Sequence, residues 1–225
     1  MKKSTLNSLY NGKNILVVVA LTIIVSMTSS QSFAQVGLAI GPKGGIGITT
    51  FKGSDAQNVD SRTSWLGGAF LNAQISPVFN LQPEILFSQK GADYTSSDTR
   101  SHLVINYFEV PVLAKLRLPI GGVVFPHILF GPNFAFKTNV DYTSEDTGNG
   151  TQVTTNDLDI RRSDIGGLAG VGIDIETKES GLFFTIDGRY GFGFNNLDTS
   201  ENSVEIRNAG WSFALGVGFL LKQRQ

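Results

Sequence analysis

The chain has 225 residues, with 18 Lys and Arg against 19 Asp and Glu, and no cysteine. A net charge of -1 offers no basic field for nucleic acid. The absence of cysteine excludes disulfides and a lipid-anchored N-terminus alike. Met1-Lys2-Lys3 and Lys13 lead into an apolar run at 15–27, too short to span as a helix but suited to a signal-peptide core. Small side chains close it at Ser32-Phe33-Ala34-Gln35, so 1–34 is expected to be a signal peptide cleaved after Ala34. Residues 35–225 carry no Pro/Ser-rich linker and read as one exported domain.

Beyond Gln35, period-two alternation recurs in segments of about ten residues, the length a tilted membrane strand needs. Eight strands are expected, at 37–51, 64–75, 78–90, 103–118, 123–138, 162–176, 181–194 and 206–222. The connections at 52–63, 91–102, 139–160 and 195–205 are long and polar; those at 76–77, 119–122 and 177–180 are tight turns. Strict alternation of long and short connections predicts an all-β fold, an eight-stranded antiparallel up-and-down transmembrane β-barrel. Its turns would lie in the periplasm and its loops outside.

Side chains then sort by parity. Trp211, Phe213, Leu215, Val217 and Phe219 alternate with small residues, and Leu182, Phe184, Ile186 and Tyr190 alternate with Thr185, Asp187 and Arg189. Phe79, Leu81, Ile85 and Phe87 alternate with Asn80, Gln82, Glu84, Ser88 and Lys90. The apolar set is expected to meet lipid. The same parity turns Lys43, Glu109, Lys115, Arg117, His127, Asn133, Lys137, Asp164, Asp174 and Glu176 inward. Side chains fill an eight-stranded interior, and buried ions must be paired. Lys43, Glu84, Lys90, Glu109, Lys115, Arg117, Asp164, Asp174, Asp187 and Arg189 are therefore expected to form a charge network that plugs the lumen.

Aromatic residues gather where strands meet connections: Trp65, Phe87, Phe108, Phe134, Tyr190 and Trp211 toward the long loops, Phe79 and Phe219 toward the turns. These are expected to be membrane-interface belts. Pro83, Pro111, Pro126 and Pro132 oppose the scheme, because proline removes a ladder hydrogen bond and a closed barrel has no edge strand. They are expected at bulges or strand ends, and a bulge would reverse the faces beyond it.

Several segments resemble the PorT-like family of small outer-membrane barrels: Pro42-Lys43-Gly44-Gly45-Ile46-Gly47, then Leu81-Gln82-Pro83-Glu84-Ile85-Leu86-Phe87-Ser88-Gln89-Lys90-Gly91, the most specific. The likeness continues in Asn106-Tyr107-Phe108-Glu109-Val110-Pro111-Val112-Leu113-Ala114-Lys115, Gly131-Pro132, Asp164 with Gly170-Val171-Gly172, and Arg189-Tyr190-Gly191. The resemblance implies an eight-stranded outer-membrane barrel and makes the strand prolines a family feature. One founding member is associated with export through the type IX secretion apparatus; most relatives have no assigned role. Many members end on an aromatic residue read by the barrel-assembly machinery, whereas here Lys222-Gln223-Arg224-Gln225 follow, so the internal Phe219 would serve.

Catalytic chemistry is sparse. Only His102 and His127 offer an imidazole, neither within a motif, and His102 beside Ser101 and near Asp98 reads as a solvated loop histidine. Asp141, Glu145, Asp146, Asp157 and Asp159 lack EF-hand spacing and read as loop acids. Gly44-Gly45 and Gly166-Gly167 precede no helix, which argues against a phosphate cradle. No enzymatic activity, cofactor or metal is expected. Four readings remain. The first is a structural or interaction protein of a Gram-negative outer membrane, its partners being lipid, the assembly machinery and envelope proteins. The second is a component of a protein-export system. The third, a soluble lipocalin-like carrier, requires the apolar face inside. The fourth, a solute channel, conflicts with the narrow interior.

Overall fold

The computed structural model describes residues 37–53, 59–95, 99–120, 122–146, 151–155, 160–177, 180–198 and 205–221; the expected signal peptide lies outside them. The strands are β1 (Gly37–Lys52), β2 (Val59–Gln74), β3 (Phe79–Thr95), β4 (Thr99–Arg117), β5 (Val124–Asp146), β6 (Gln152–Thr155), β7 (Ser163–Thr177), β8 (Leu182–Gly193) and β9 (Arg207–Leu221). All pairings are antiparallel. Because β1 pairs with β9 and β4 with β5, eight strands close into a ring; β6 is a short return strand on the far end of β5.

The register fixes the shape of that ring. Partners followed from Gly37 through Gln74, Asn80, Lys115, Leu129, Gly170, Arg189 and Ser212 return to β1 at Gly47. An offset of about ten residues across eight strands about 4.8 Å apart tilts the strands by about 40°. Tight turns join the strands at one end. Ile75 N and Ser76 N each donate to Phe79 O at 3.0 Å, and Ser76 Oγ accepts from Phe79 N at 3.0 Å. Gly122 and Gly181 supply the left-handed positions of the other two turns, at φ 79° and 67°.

At the opposite end the strands run further than the polar sequence suggests. The segment expected as a loop at 91–102 is hairpin, with only 96–98 between β3 and β4, and β5 continues to Asp146. Its 23 residues are more than double the roughly 9–11 that a tilted strand needs to cross hydrocarbon. Polar composition there reports contact with water and not a lack of pairing: Thr, Tyr and Val suit a solvated sheet as well as a loop excludes them.

The faces decide between membrane and soluble barrels. Ile46, Phe213, Leu215 and Phe219 are 61–65% exposed on the outside, whereas Glu84, Lys115, Arg117, Asp187 and Arg189 are no more than 1% exposed within. This arrangement overturns the lipocalin-like reading, which needs the reverse. It also corrects the expectation for the prolines. Pro83 pairs with Val112, Pro111 with Asn133, Pro126 with Ile173 and Pro132 with Gly167, and the register passes through each without a shift. The irregularities fall elsewhere, between Ser61 and Leu66 on β2 and between Asn106 and Tyr107 on β4. Both sit toward the long-connection end, so parity holds through the membrane portion.

Candidate functional site

The interior is built in layers along the barrel axis. Nearest the turns, β3, β4, β7 and β8 aim alternate residues inward, and their charges meet. Arg189 grips Glu84 with two parallel bonds of 2.7 Å, and its Nη2 also donates to Asp187 Oδ2 at 2.6 Å. Lys43, reaching across from β1, donates to Glu84 Oε1 at 2.9 Å and to Asp187 Oδ2. Lys115 donates to Asp174 Oδ1 at 2.8 Å, Gln82 Oε1 at 3.0 Å and Thr185 Oγ1 at 3.0 Å.

The layer is edged by His127, whose Nε2 lies 2.9 Å from Asp187 Oδ1, and by Arg117. Arg117 stands 2.6 Å from Glu176 Oε1 and 3.4 Å from Asp174 Oδ2, its guanidinium 4.0 Å over the Phe125 ring. Four cations, Lys43, Lys115, Arg117 and Arg189, thus face four carboxylates, Glu84, Asp174, Glu176 and Asp187. Space for these long side chains comes from glycine. A Cβ on Gly172 would lie 2.6 Å from His127 Nε2 and 2.8 Å from Asp187 Oδ1, inside the hydrogen bond between them. Asn72 completes the layer by donating to Gln82 Oε1 at 2.9 Å while its Oδ1 accepts from Asn80 at 2.8 Å. Beside it, Ala39, Phe70 and Phe183 form a small apolar cluster.

A second layer lies toward the long-connection end. Lys90 Nζ is 3.0 Å from Glu109 Oε1, and Ser88 and Asn133 donate to the same carboxylate. Asp164 stands apart from both sets: its Oδ2 accepts from Asn208 at 2.9 Å, and Asn208 also donates to the Tyr107 hydroxyl at 3.1 Å. The ten charged residues expected inward are all inside, but they divide into two groups plus Asp164. Above them an apolar cluster of Phe51, Ala92, Ile105, Tyr107, Ala135, Val140 and Leu197 fills the barrel. Lys137, near that rim, donates to Ile160 O at 2.6 Å.

Several of these residues escape a reading that follows only charge. Asn72, Leu86, Phe70, Tyr107, Phe183 and Asn208 are buried on the inner face. Parity carried through every strand would have found Leu86 between Glu84 and Ser88, and Tyr107 two residues before Glu109. His102 also differs from its expected loop setting. It sits on β4, with Nδ1 2.8 Å from Asp93 Oδ1, and Arg62 Nη1 donates to the same oxygen at 2.8 Å. Ser101 points to the other side of the strand, toward Ser144 and Tyr142, so the two adjacent residues form no Ser-His pair. Burial pushes the Asp93 carboxyl up, but the hydrogen bonds from His102 and Arg62 and the Arg62 charge outweigh it and hold the group below its usual range. Asp141, Glu145 and Asp146 lie on the β5 extension; Asp157 and Asp159 fall outside the described residues.

On the outer wall, Trp65, Phe87, Trp211 and Phe219 are exposed, while Phe79, Phe108, Phe134 and Tyr190 are half-buried against neighbours. Phe87 meets Phe108 edge-on at 5.4 Å, and Tyr190 packs on Trp211 at 5.0 Å. Lys52 Nζ reaches the Tyr190 hydroxyl at 3.0 Å from the rim.

Residues 30–199 match the model of a family described as outer membrane protein beta-barrel domain. No curated protein matches. Among solved structures, OprG of Pseudomonas aeruginosa is similar at a TM-score of 0.51 and 14% identity, covering 84% of this chain and 98% of that one. Ail of Yersinia pestis aligns at a TM-score of 0.43 and 13% identity over 83% and 100% of the two chains. For Neisserial surface protein A the values are 0.45, 10%, 81% and 97%. With a matched family model over most of its length and eight strands closed around a charged interior, the chain belongs to the outer membrane protein β-barrel domain family.

Proposed function

We propose that this protein is a plugged outer-membrane anchor of the PorT-like type, exported by a signal peptide that is cleaved after Ala34, whose long-connection end engages another envelope protein. The observation that carries this reading is the lumen. Glu84, Lys115, Asp187 and Arg189 occupy the cross-section that a solute would need, and each is held by a partner from another strand. Opening a path would separate buried ions from their partners, at a cost of several kcal/mol for each broken set, roughly 3–5. In this reading the network is structural, and Trp65, Phe79, Phe87, Phe108, Tyr190, Trp211 and Phe219 set the depth of the wall in the bilayer. Phe219, outermost among the last residues of β9, would be presented to the assembly machinery.

The test has two arms. In planar bilayers the purified barrel is expected to give no steady conductance steps; stable large openings would refute the closed lumen. Affinity purification from cross-linked membranes is expected to recover an envelope partner that is lost when the β3–β4 hairpin tip is replaced. A partner set made of secretion components would favour the narrower reading as an accessory of a type IX-like system, which the Leu81–Gly91 resemblance supports.

A further inference from the structure

We propose that a cavity between the two lumen layers binds a monovalent cation on Asp164 and Asn133. The cavity measures about 70 Å³, and its lining includes Lys90, Glu109, Asn133, Asp164, Arg189 and Asn208. That is room for a cation with a few waters. Asp164 is 4% exposed, and its Oδ1 has no hydrogen-bond partner among the described residues; Asn133 is 6% exposed, and its Oδ1 is likewise unpartnered among them. Their other polar atoms are committed, Asp164 Oδ2 to Asn208 and Asn133 Nδ2 to Glu109. Two buried acceptor oxygens therefore line the same space with nothing donated to them.

Charge leads to the same place. In the layer near the turns four cations face four carboxylates, each within ion-pair distance of a partner. In the layer above, Lys90 is taken by Glu109, and no described Lys, Arg or His forms an ion pair with Asp164. Asp164 is thus left without an ion-pair partner among the described residues, and a buried carboxylate in that position is costly unless it gains a counter-ion or a proton. Glycine keeps its flank open: a Cβ on Gly193 would stand 3.2 and 3.3 Å from the two Asp164 oxygens. Hard oxygen donors suit an alkali or alkaline-earth ion. A single unpaired carboxylate selects the monovalent one, since a divalent ion there would bring more charge than Asp164 can balance.

Thallous ion, a heavy surrogate for potassium, is the probe. Crystals of the full barrel soaked in thallium acetate are expected to show anomalous density between Asp164 and Asn133. In detergent, thermal unfolding is expected to shift upward in NaCl or KCl relative to choline chloride at equal ionic strength, because choline is too large to enter. Asp164→Asn keeps the hydrogen bond to Asn208 and should abolish that shift and weaken thallous binding at least about tenfold. Gly193→Ala keeps every charge, folds to the same heat-modifiable band and should weaken binding by narrowing the site. Equal unfolding in sodium and choline together with an empty cavity would overturn the proposal, as would an Asp164→Asn variant that keeps the full cation response.

Discussion

Arg189 is the most informative side chain to remove. It makes three charge-assisted bonds, two to Glu84 at 2.7 Å and one to Asp187 at 2.6 Å, and is 1% exposed. Such bonds contribute about 1.5–3 kcal/mol each when isolated, but their sum is limited because the partners keep Lys43. Arg189→Met leaves Glu84 with Lys43 alone and Asp187 with Lys43, His127 and the more distant Lys115, and removal of one member of a buried set costs about 3–5 kcal/mol. Equilibrium unfolding from lipid vesicles in urea would measure this, read by Trp65 and Trp211, which face outward, and by heat-dependent gel mobility. The Glu84→Gln, Arg189→Met double variant should recover about 1–3 kcal/mol relative to the sum of the single losses. A single-variant loss below about 1 kcal/mol, or strict additivity, would refute the claim that these ions hold one another.

Three further outcomes are expected. Gly172→Ala places a methyl 2.3 Å from Ile186 O as well as between His127 and Asp187, and should lower stability by about 1–3 kcal/mol in the same assay. Leu215→Arg, on the lipid face at 61% exposure, should cost about 2–4 kcal/mol in vesicles if its level is the bilayer midplane; a neutral result would contradict the orientation of β9. Asp93 has a depressed carboxyl, so its contribution is fully present above the ordinary carboxylate value and is lost as pH falls through the lower folded one. Hydrogen-exchange protection factors of the β3–β4 hairpin, corrected for the intrinsic rate at each pH, should therefore be flat from about pH 5 upward and fall below about pH 4, and Asp93→Asn should remove that acid step.

Strand number, pairing order and inner charges were legible because one rule, alternation against lipid, governs every crossing segment. Leu215 and Asp187 need no knowledge of their neighbours to be assigned. The rule weakens where lipid ends. Where Asp93 pairs with His102 and Tyr94 with Ser101, polar residues occupy both faces, so alternation fades although pairing continues. Prolines misled for a related reason: Pro111 and Pro132 lose one bond each, yet their neighbours hold the ladder in step. The division of the charges into two layers was not legible at all, since it depends on the stagger around the ring, which brings Lys43 of β1 to Asp187 of β8.

The length of β3, β4 and β5 beyond the girdle changes what a partner would meet. A fringe of loose loops must be ordered on docking, and each immobilised residue subtracts from affinity. A wall of hydrogen-bonded strands, pinned at its top by Leu197 and Ile160 against Tyr107 and Val140, has met that requirement during folding. If this end docks a partner as proposed, the contact would be a fit to stiff strands, fast to form and poorly tolerant of shape change.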